Sequence, residues 1–174
     1  PWPISKSSLK IWPIYAGSYP PKLRHMMRLQ SFRPWKPTLA AAAWAVVTAG
    51  VGGALTTIGP WYHDLTKPVG QPPDWAFGPA WTLIFTLTAI AGVWAWRDSE
   101  TARQRRRIIA AFILNGVLTA GWSGLFFTLQ RPDWGRIEFV FLWLSVAWMM
   151  WVVAPYSRRA MLILIPYLLW VGYA

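Results

Sequence analysis

The sequence predicts an all-α membrane protein, a bundle of five transmembrane helices with the fifth cut short at the C-terminus. Three observations carry that expectation. Hydrophobic residues fill 55% of the 174 positions and charged residues only 13%, too apolar a mixture for a soluble domain of this length. The apolar residues are gathered into long blocks, and the Lys and Arg residues fall between those blocks rather than within them.

A helix that crosses roughly 30 Å of hydrocarbon needs about 20 residues with few or no charges. Residues 38–62, 75–96, 108–130 and 139–157 contain no Lys, Arg, Asp or Glu. Trimmed at their ends, they predict spans over about 38–59, 76–96, 108–129 and 138–155. A fifth apolar segment, 160–174, reads AMLILIPYLLWVGYA and is too short to cross alone. The expected reason is that the chain stops inside a span; a different pairing of the segment is the alternative.

The net charge of +11 follows this topology. Lys6, Lys10, Lys22, Arg24, Arg28, Arg33 and Lys36 precede the first span, Arg97, Arg103, Arg105, Arg106 and Arg107 separate the second from the third, and Arg158 and Arg159 separate the fourth from the fifth. The other side carries only Lys67, Arg131 and Arg136. The positive-inside rule therefore places the N-terminus and the Arg-rich loop in the cytoplasm. No nucleic-acid partner is expected, because the RQRRR run has no aromatic interleaving or binding fold around it. With no cysteine, disulfides, thiolate nucleophiles and Cys-ligated metals are closed, and no metal site is expected.

Residues 1–37 form a basic, Pro-containing tail without an acid or a sustained apolar face, separate from the membrane domain at 38–174. Because the sequence opens with Pro while Met26 and Met27 stand shortly before the first span, the part before Met26 is expected to be non-native upstream sequence. An organelle targeting leader is the rival reading, opposed by its proline content.

Within the spans, the lack of ionisable groups speaks against an ion-coupled pump. Ala49 lies four before Gly53 and Gly50 four before Ala54, a spacing expected to let another helix approach. Asn115, Thr119, Trp122 and Phe126 share one helical face, expected to point inward as either an interhelical hydrogen-bonded seam or a ligand wall. Of the fifteen Trp residues, Trp61, Trp75, Trp96 and Trp134 suit an interfacial belt. Trp81, Trp122, Trp148 and Trp170 lie further inside, where flat side chains either pack or wall a planar ligand.

The first connection, WYHDLTKPVGQPPDWAFGPAW from Trp61 to Trp81, is the most distinctive segment. Pro68, Pro72 and Pro73 oppose helix, and Trp61, Tyr62, Trp75 and Phe77 supply apolar surface, so a lid over the helix ends is expected. His63 and Asp64 read as a solvated pair rather than a site.

In Trp61, Tyr62, Leu65, Lys67, Pro68, Pro72, Pro73, Trp75, Phe77 and Trp81, this segment resembles the translocator protein family, also called tryptophan-rich sensory proteins, TspO/MBR proteins or peripheral-type benzodiazepine receptors. The WSGLFF, RPDWGRIE and IPYLLW blocks extend the resemblance from about Leu39 to the end. It implies a five-helix bundle, often a homodimer, with an aromatic pocket under the first loop that binds tetrapyrroles such as protoporphyrin or haem as ligand, with no required cofactor. By the same resemblance Trp81 and Trp170 match tryptophans implicated in porphyrin binding and light-dependent breakdown, and Trp122 matches a pocket wall. This chain departs from the family pattern at Thr119, where Asn is usual, and at Phe85, where Tyr is usual; Asn115 stands one turn away. The expected ligand set is Trp81, Phe85, Asn115, Thr119, Trp122, Phe126 and Trp170, under a lid of Trp61, Tyr62, Leu65, Lys67, Pro68, Pro72, Pro73 and Trp75. The expected function is a membrane receptor or sensor linked to porphyrin homeostasis or transport, in a bacterial envelope rather than a mitochondrial outer membrane. The alternatives are light-dependent porphyrin degradation through Trp81 and Trp170, and a passive carrier or partner-regulating subunit.

Overall fold

The computed structural model of the chain describes residues 35–67 and 69–173. The tail before Trp35 and Pro68 of the expected lid lie outside the described residues.

Every regular element among the described residues is helical. Helix α1 spans Lys36–Leu55, and its Ala-rich first half is strongly helix-forming. A short α2, Pro60–His63, starts with Pro at a position where no N–H is needed. Helix α3, Asp74–Asp98, carries an acid in its first turn and Arg97 in its last, the polarity that the helix dipole favours. Helix α4, Ala102–Ser123, begins with a reciprocal cap: Gln104 N–H donates to Thr101 Oγ1 at 3.2 Å and Thr101 N–H to Gln104 Oε1 at 2.9 Å. It runs on as a π-helix over Gly124–Thr128. Helix α5 spans Pro132–Val153, and the last segment is split into α6, Arg158–Leu162, and α7, Ile165–Tyr173.

Four helical units are long and apolar enough to cross a membrane: Lys36–Leu55, Asp74–Asp98, Ala102–Thr128 and Pro132–Val153. Two begin well before the expected spans. The Thr101–Gln104 cap draws Arg103, Arg105, Arg106 and Arg107 into the first turns of α4, and Pro132 starts α5 early enough to take in Asp133 and Arg136. The expected fifth span is two short helices because Pro166 has no N–H to give and its ring opposes the carbonyl four residues back. The first connection is also shorter than expected: Trp75, Phe77 and Trp81 belong to α3.

Helix α4 packs on both α1 and α5, α3 packs on α1 and α6, and α7 packs on α5. Ala91, Ala95, Ala111, Leu142, Val146, Met149, Leu164 and Tyr167 form the centre of the buried core. Three contacts fix the ends. Arg159 pairs with Asp98 at 3.2 Å and Arg97 donates to Thr38 at 3.1 Å at the basic end, while Thr128 donates to the Leu55 carbonyl at 3.0 Å at the loop end.

The close approach of α1 does not use the expected small-residue face. Ala49, Gly50, Gly53 and Ala54 are exposed, and a Cβ built on Gly50 or Gly53 meets nothing. The small residue stands on the partner helix instead. A Cβ on Gly116 of α4 would lie 2.8 Å from Trp44 Nε1 and 3.0 Å from Thr48 Oγ1, and Trp44 Nε1–H donates to the Phe112 carbonyl at 2.9 Å. Gly116→Val is therefore expected to cost about 1–3 kcal/mol through overpacking, whereas Gly121→Ala, where a Cβ meets nothing, is neutral or better. Unfolding midpoints of the two variants in detergent check the contrast.

Candidate functional site

Two aromatic walls are tied to the first connection, one through α7 and the other through the end of α4. Phe77, Trp81 and Phe85 recur every four residues and so share one face of α3. Trp81 stacks on Phe85 with centroids 5.5 Å apart and meets Tyr167 of α7 edge-on at 6.0 Å. One turn along α7, Trp170 meets Phe77 at 5.7 Å.

The second wall stands on α4 and its π-helical end. Trp122 stacks on Phe126 at 5.2 Å and 18°, meets Phe127 edge-on at 5.7 Å, and leans on Phe139 of α5 at 5.6 Å. A π-turn carries one more residue than an α-turn, and here two successive Phe rings reach the same Trp. From α2, Trp61 reaches Phe126 at 5.7 Å and Tyr62 reaches Phe127 at 5.6 Å.

The connection itself is tied down by polar contacts. Tyr62 O–H donates to Asp74 Oδ1 at 2.9 Å and accepts from Gln71 Nε2 at 3.1 Å. Lys67 lies 4.1 Å over the Tyr62 ring and 3.4 Å from Asp74 Oδ1. Burial first, and then the Asp74 carboxylate, push the Tyr62 hydroxyl above its ordinary pKa, so it stays a donor. Gly70 holds φ +93°, a conformation open to glycine, and its carbonyl accepts from Tyr173 O–H, which ties the connection to α7. Leu65, Pro72 and Pro73 lie in this connection; Trp75 is 76% exposed and stands outside the walls.

Between the walls runs a buried polar seam. Asn115 Nδ2 donates to Ser145 Oγ of α5 at 2.9 Å, Ser145 Oγ donates to the Leu142 carbonyl at 2.7 Å, and Thr119 Oγ1 donates to the Asn115 carbonyl at 2.8 Å. Tyr167 O–H lies 2.9 Å from Thr119 Oγ1 and 3.3 Å from Asn115 Oδ1. Two hydroxyl protons serve these three contacts, so with Thr119 donating to its own helix, Tyr167 donates to Thr119 or to Asn115. Asn115 and Thr119 therefore bond across helices, while Trp122 and Phe126 further along the same face form a wall.

Trp148 does not join the other inner tryptophans; it lies at the basic end of α5, 38% exposed. Sequence reasoning missed Tyr167, Phe127, Phe139 and Glu138. Glu138 lies in the second turn of α5, beside Leu125, Trp134, Ile137 and Phe141, which line a groove of about 290 Å³. Both its carboxylate oxygens are buried, as is Trp170 Nε1, and none has a hydrogen-bond partner among the described residues. The signal for Glu138 was present: Pro132 followed by Asp133 is a helix start, which puts residue 138 inside the helix.

These features define a multi-pass helical membrane protein with an aromatic site under a tied loop at one end. Residues 39–174 match the TspO/MBR family, and the chain belongs to that family. Its relatives include the "Tryptophan-rich protein TspO" of Chlorobaculum tepidum, 36% identical over 144 residues that make up 79% of this chain and 89% of the relative. The protein of the same name from Archaeoglobus fulgidus is 36% identical over 140 residues, 78% of this chain and 89% of the relative. The "Tryptophan-rich sensory protein" of Cereibacter sphaeroides is 32% identical over 133 residues, 76% and 80% respectively.

Two substitutions are expected to move stability in opposite directions. Tyr167→Phe removes a hydroxyl from the seam and lowers stability by about 1 kcal/mol, between the average of roughly 0.6 and the maximum of roughly 1.7 kcal/mol for hydrogen bonds between membrane helices. Glu138→Leu removes a buried carboxyl without a partner and raises the unfolding midpoint. Equilibrium unfolding in mixed micelles reads both.

Proposed function

We propose that this protein is a membrane receptor that binds a tetrapyrrole between its two aromatic walls. The observation that carries the reading is that the Phe77–Trp81–Phe85–Trp170 wall and the Trp122–Phe126–Phe127 wall are both tied to the same connection. The rings touch one another, so a planar macrocycle enters by exchanging ring–ring contacts for ring–ligand contacts of similar kind. Asn115 and Thr119 take part by holding Tyr167 in place and Phe85 by backing Trp81, whose faces the ligand meets. The word "sensory" in the name of the Cereibacter sphaeroides relative agrees with a receptor role.

The proposal includes the five-span count, with residues 158–173 in the fifth, a homodimer, and an N-terminus on the cytoplasmic side, which the charge distribution favours. It also places the protein in a bacterial envelope, in keeping with relatives from Chlorobaculum tepidum and Cereibacter sphaeroides.

Protoporphyrin titrated into the purified protein, followed by tryptophan quenching, is expected to saturate. Trp81→Phe with Trp170→Phe is expected to weaken the midpoint about tenfold, two aromatic contacts at about 0.5–1.5 kcal/mol each. Absence of saturable quenching in the parent would remove the proposal. A second reading, light-dependent breakdown of bound porphyrin, draws on the contact of Trp81 with Tyr167. It requires loss of the porphyrin absorption band under light that Trp81→Phe abolishes.

A further inference from the structure

The basic end of the bundle, opposite the aromatic site, holds a second groove. It is lined by Arg107 of α4 and by Trp148, Trp151, Val152, Pro155 and Tyr156 at the end of α5, and its volume is about 320 Å³. Its floor is apolar and aromatic, and Arg107 is its one charged lining residue.

Charge is distributed very unevenly between the two ends. Among the described residues the basic end carries Lys36, Arg97, Arg103, Arg105, Arg106, Arg107, Arg158 and Arg159 against Asp98 and Glu100. The loop end carries Lys67, Arg131 and Arg136 against Asp64, Asp74, Asp133 and Glu138. Several of the basic groups are engaged. Arg97 donates to Thr38, Arg105 bonds Ser99 and lies over Trp96, and Arg159 pairs with Asp98 and lies over Trp94. Arg107 has neither a hydrogen bond nor an ion pair among the described residues. The tail cannot supply a side-chain partner of opposite charge, because residues 1–34 contain no Asp or Glu.

A lone guanidinium at the mouth of an aromatic groove, at the interfacial level of a membrane helix, matches one kind of molecule. Its head must be anionic and its body apolar. We propose that this groove binds one anionic phospholipid, with the phosphate on Arg107 and the glycerol and upper acyl chain against Trp148, Trp151 and Tyr156. Arg suits the task because its planar donor fork fits phosphate oxygens in pairs, and the indole and phenol rings suit the boundary between headgroup and chain. The assignment is independent of the tetrapyrrole site, which lies at the other end.

Native mass spectrometry of the full chain, released from micelles that contain equal phosphatidylglycerol and phosphatidylcholine with identical chains, tests it. The parent is expected to retain one phosphatidylglycerol in preference to phosphatidylcholine. Arg107→Gln is expected to reduce that preference roughly fivefold, the effect of about 1 kcal/mol per basic residue near a membrane surface. Arg107→Lys, which keeps the charge, retains most of it, and so does Arg103→Gln, exposed nearby but outside the groove. Helical circular dichroism confirms that each variant is folded. Equal retention of the two lipids by the parent, or an unchanged preference in Arg107→Gln, overturns the proposal. Displacement of the lipid by millimolar inorganic phosphate also overturns it, since the site would then hold a free anion.

Discussion

The structure depends on the hydrogen bonds that Asn115 and Thr119 make with Ser145 and Tyr167. In a bilayer the hydrophobic effect does not press helices together, because lipid tails are as apolar as Leu or Val. Packing and a few polar contacts must do that work. This seam joins α4 to α5 and to α7 at once, and α7 is the piece with least to hold it, a helix of nine residues broken from its predecessor by Pro166. Fixing Tyr167 places Trp170 one turn further along, and through the edge-on contact it also orients Trp81. One wall of the site therefore takes its position from a polar contact in the core.

The other wall follows from a local irregularity. The π-helix at Gly124–Thr128 adds a residue to the end of α4 and lets Phe126 and Phe127 share Trp122. The loop then anchors to both walls, through Trp61 and Tyr62 on one side and the Tyr173–Gly70 bond on the other. Such rings hold their shape while offering faces that a flat ligand can take over. Glu138 and the Trp170 N–H stand apart from this order, since both are buried without partners among the described residues and so weigh against stability. Natural proteins keep such groups where function outweighs stability.

Much of this was legible in the chain. The four charge-free blocks gave the membrane-crossing helices, because hydrocarbon excludes charge so strongly that the pattern survives without any tertiary knowledge. The spacing of Asn115, Thr119, Trp122 and Phe126 gave an inward face, and the seam reading holds for its first two residues, which bond across helices, while the last two stack on one another. Helices extend beyond the expected spans where charged residues occupy first turns, as at Arg103 and Asp133, since hydropathy marks the edge of the membrane and not the edge of the helix. The residue that lets α1 approach α4 was not legible. Ala49 and Gly53 have the spacing of a packing face, but the groove that receives Trp44 is made by Gly116, and spacing within one helix carries no information about its neighbour. Tyr167 was overlooked because a single Tyr in an apolar run has no periodicity to announce it.

The most direct test of the account is the Thr119 methyl resonance in selectively labelled protein as protoporphyrin is added. Thr119 stands between the walls, bonded to Tyr167 and one turn from Trp122, so the ring current of a macrocycle held there shifts its methyl strongly while the exposed Thr82 methyl stays in place. A saturable shift at Thr119 alone is the predicted result. Saturable binding that leaves Thr119 unmoved would contradict the site and the role of the seam beside it.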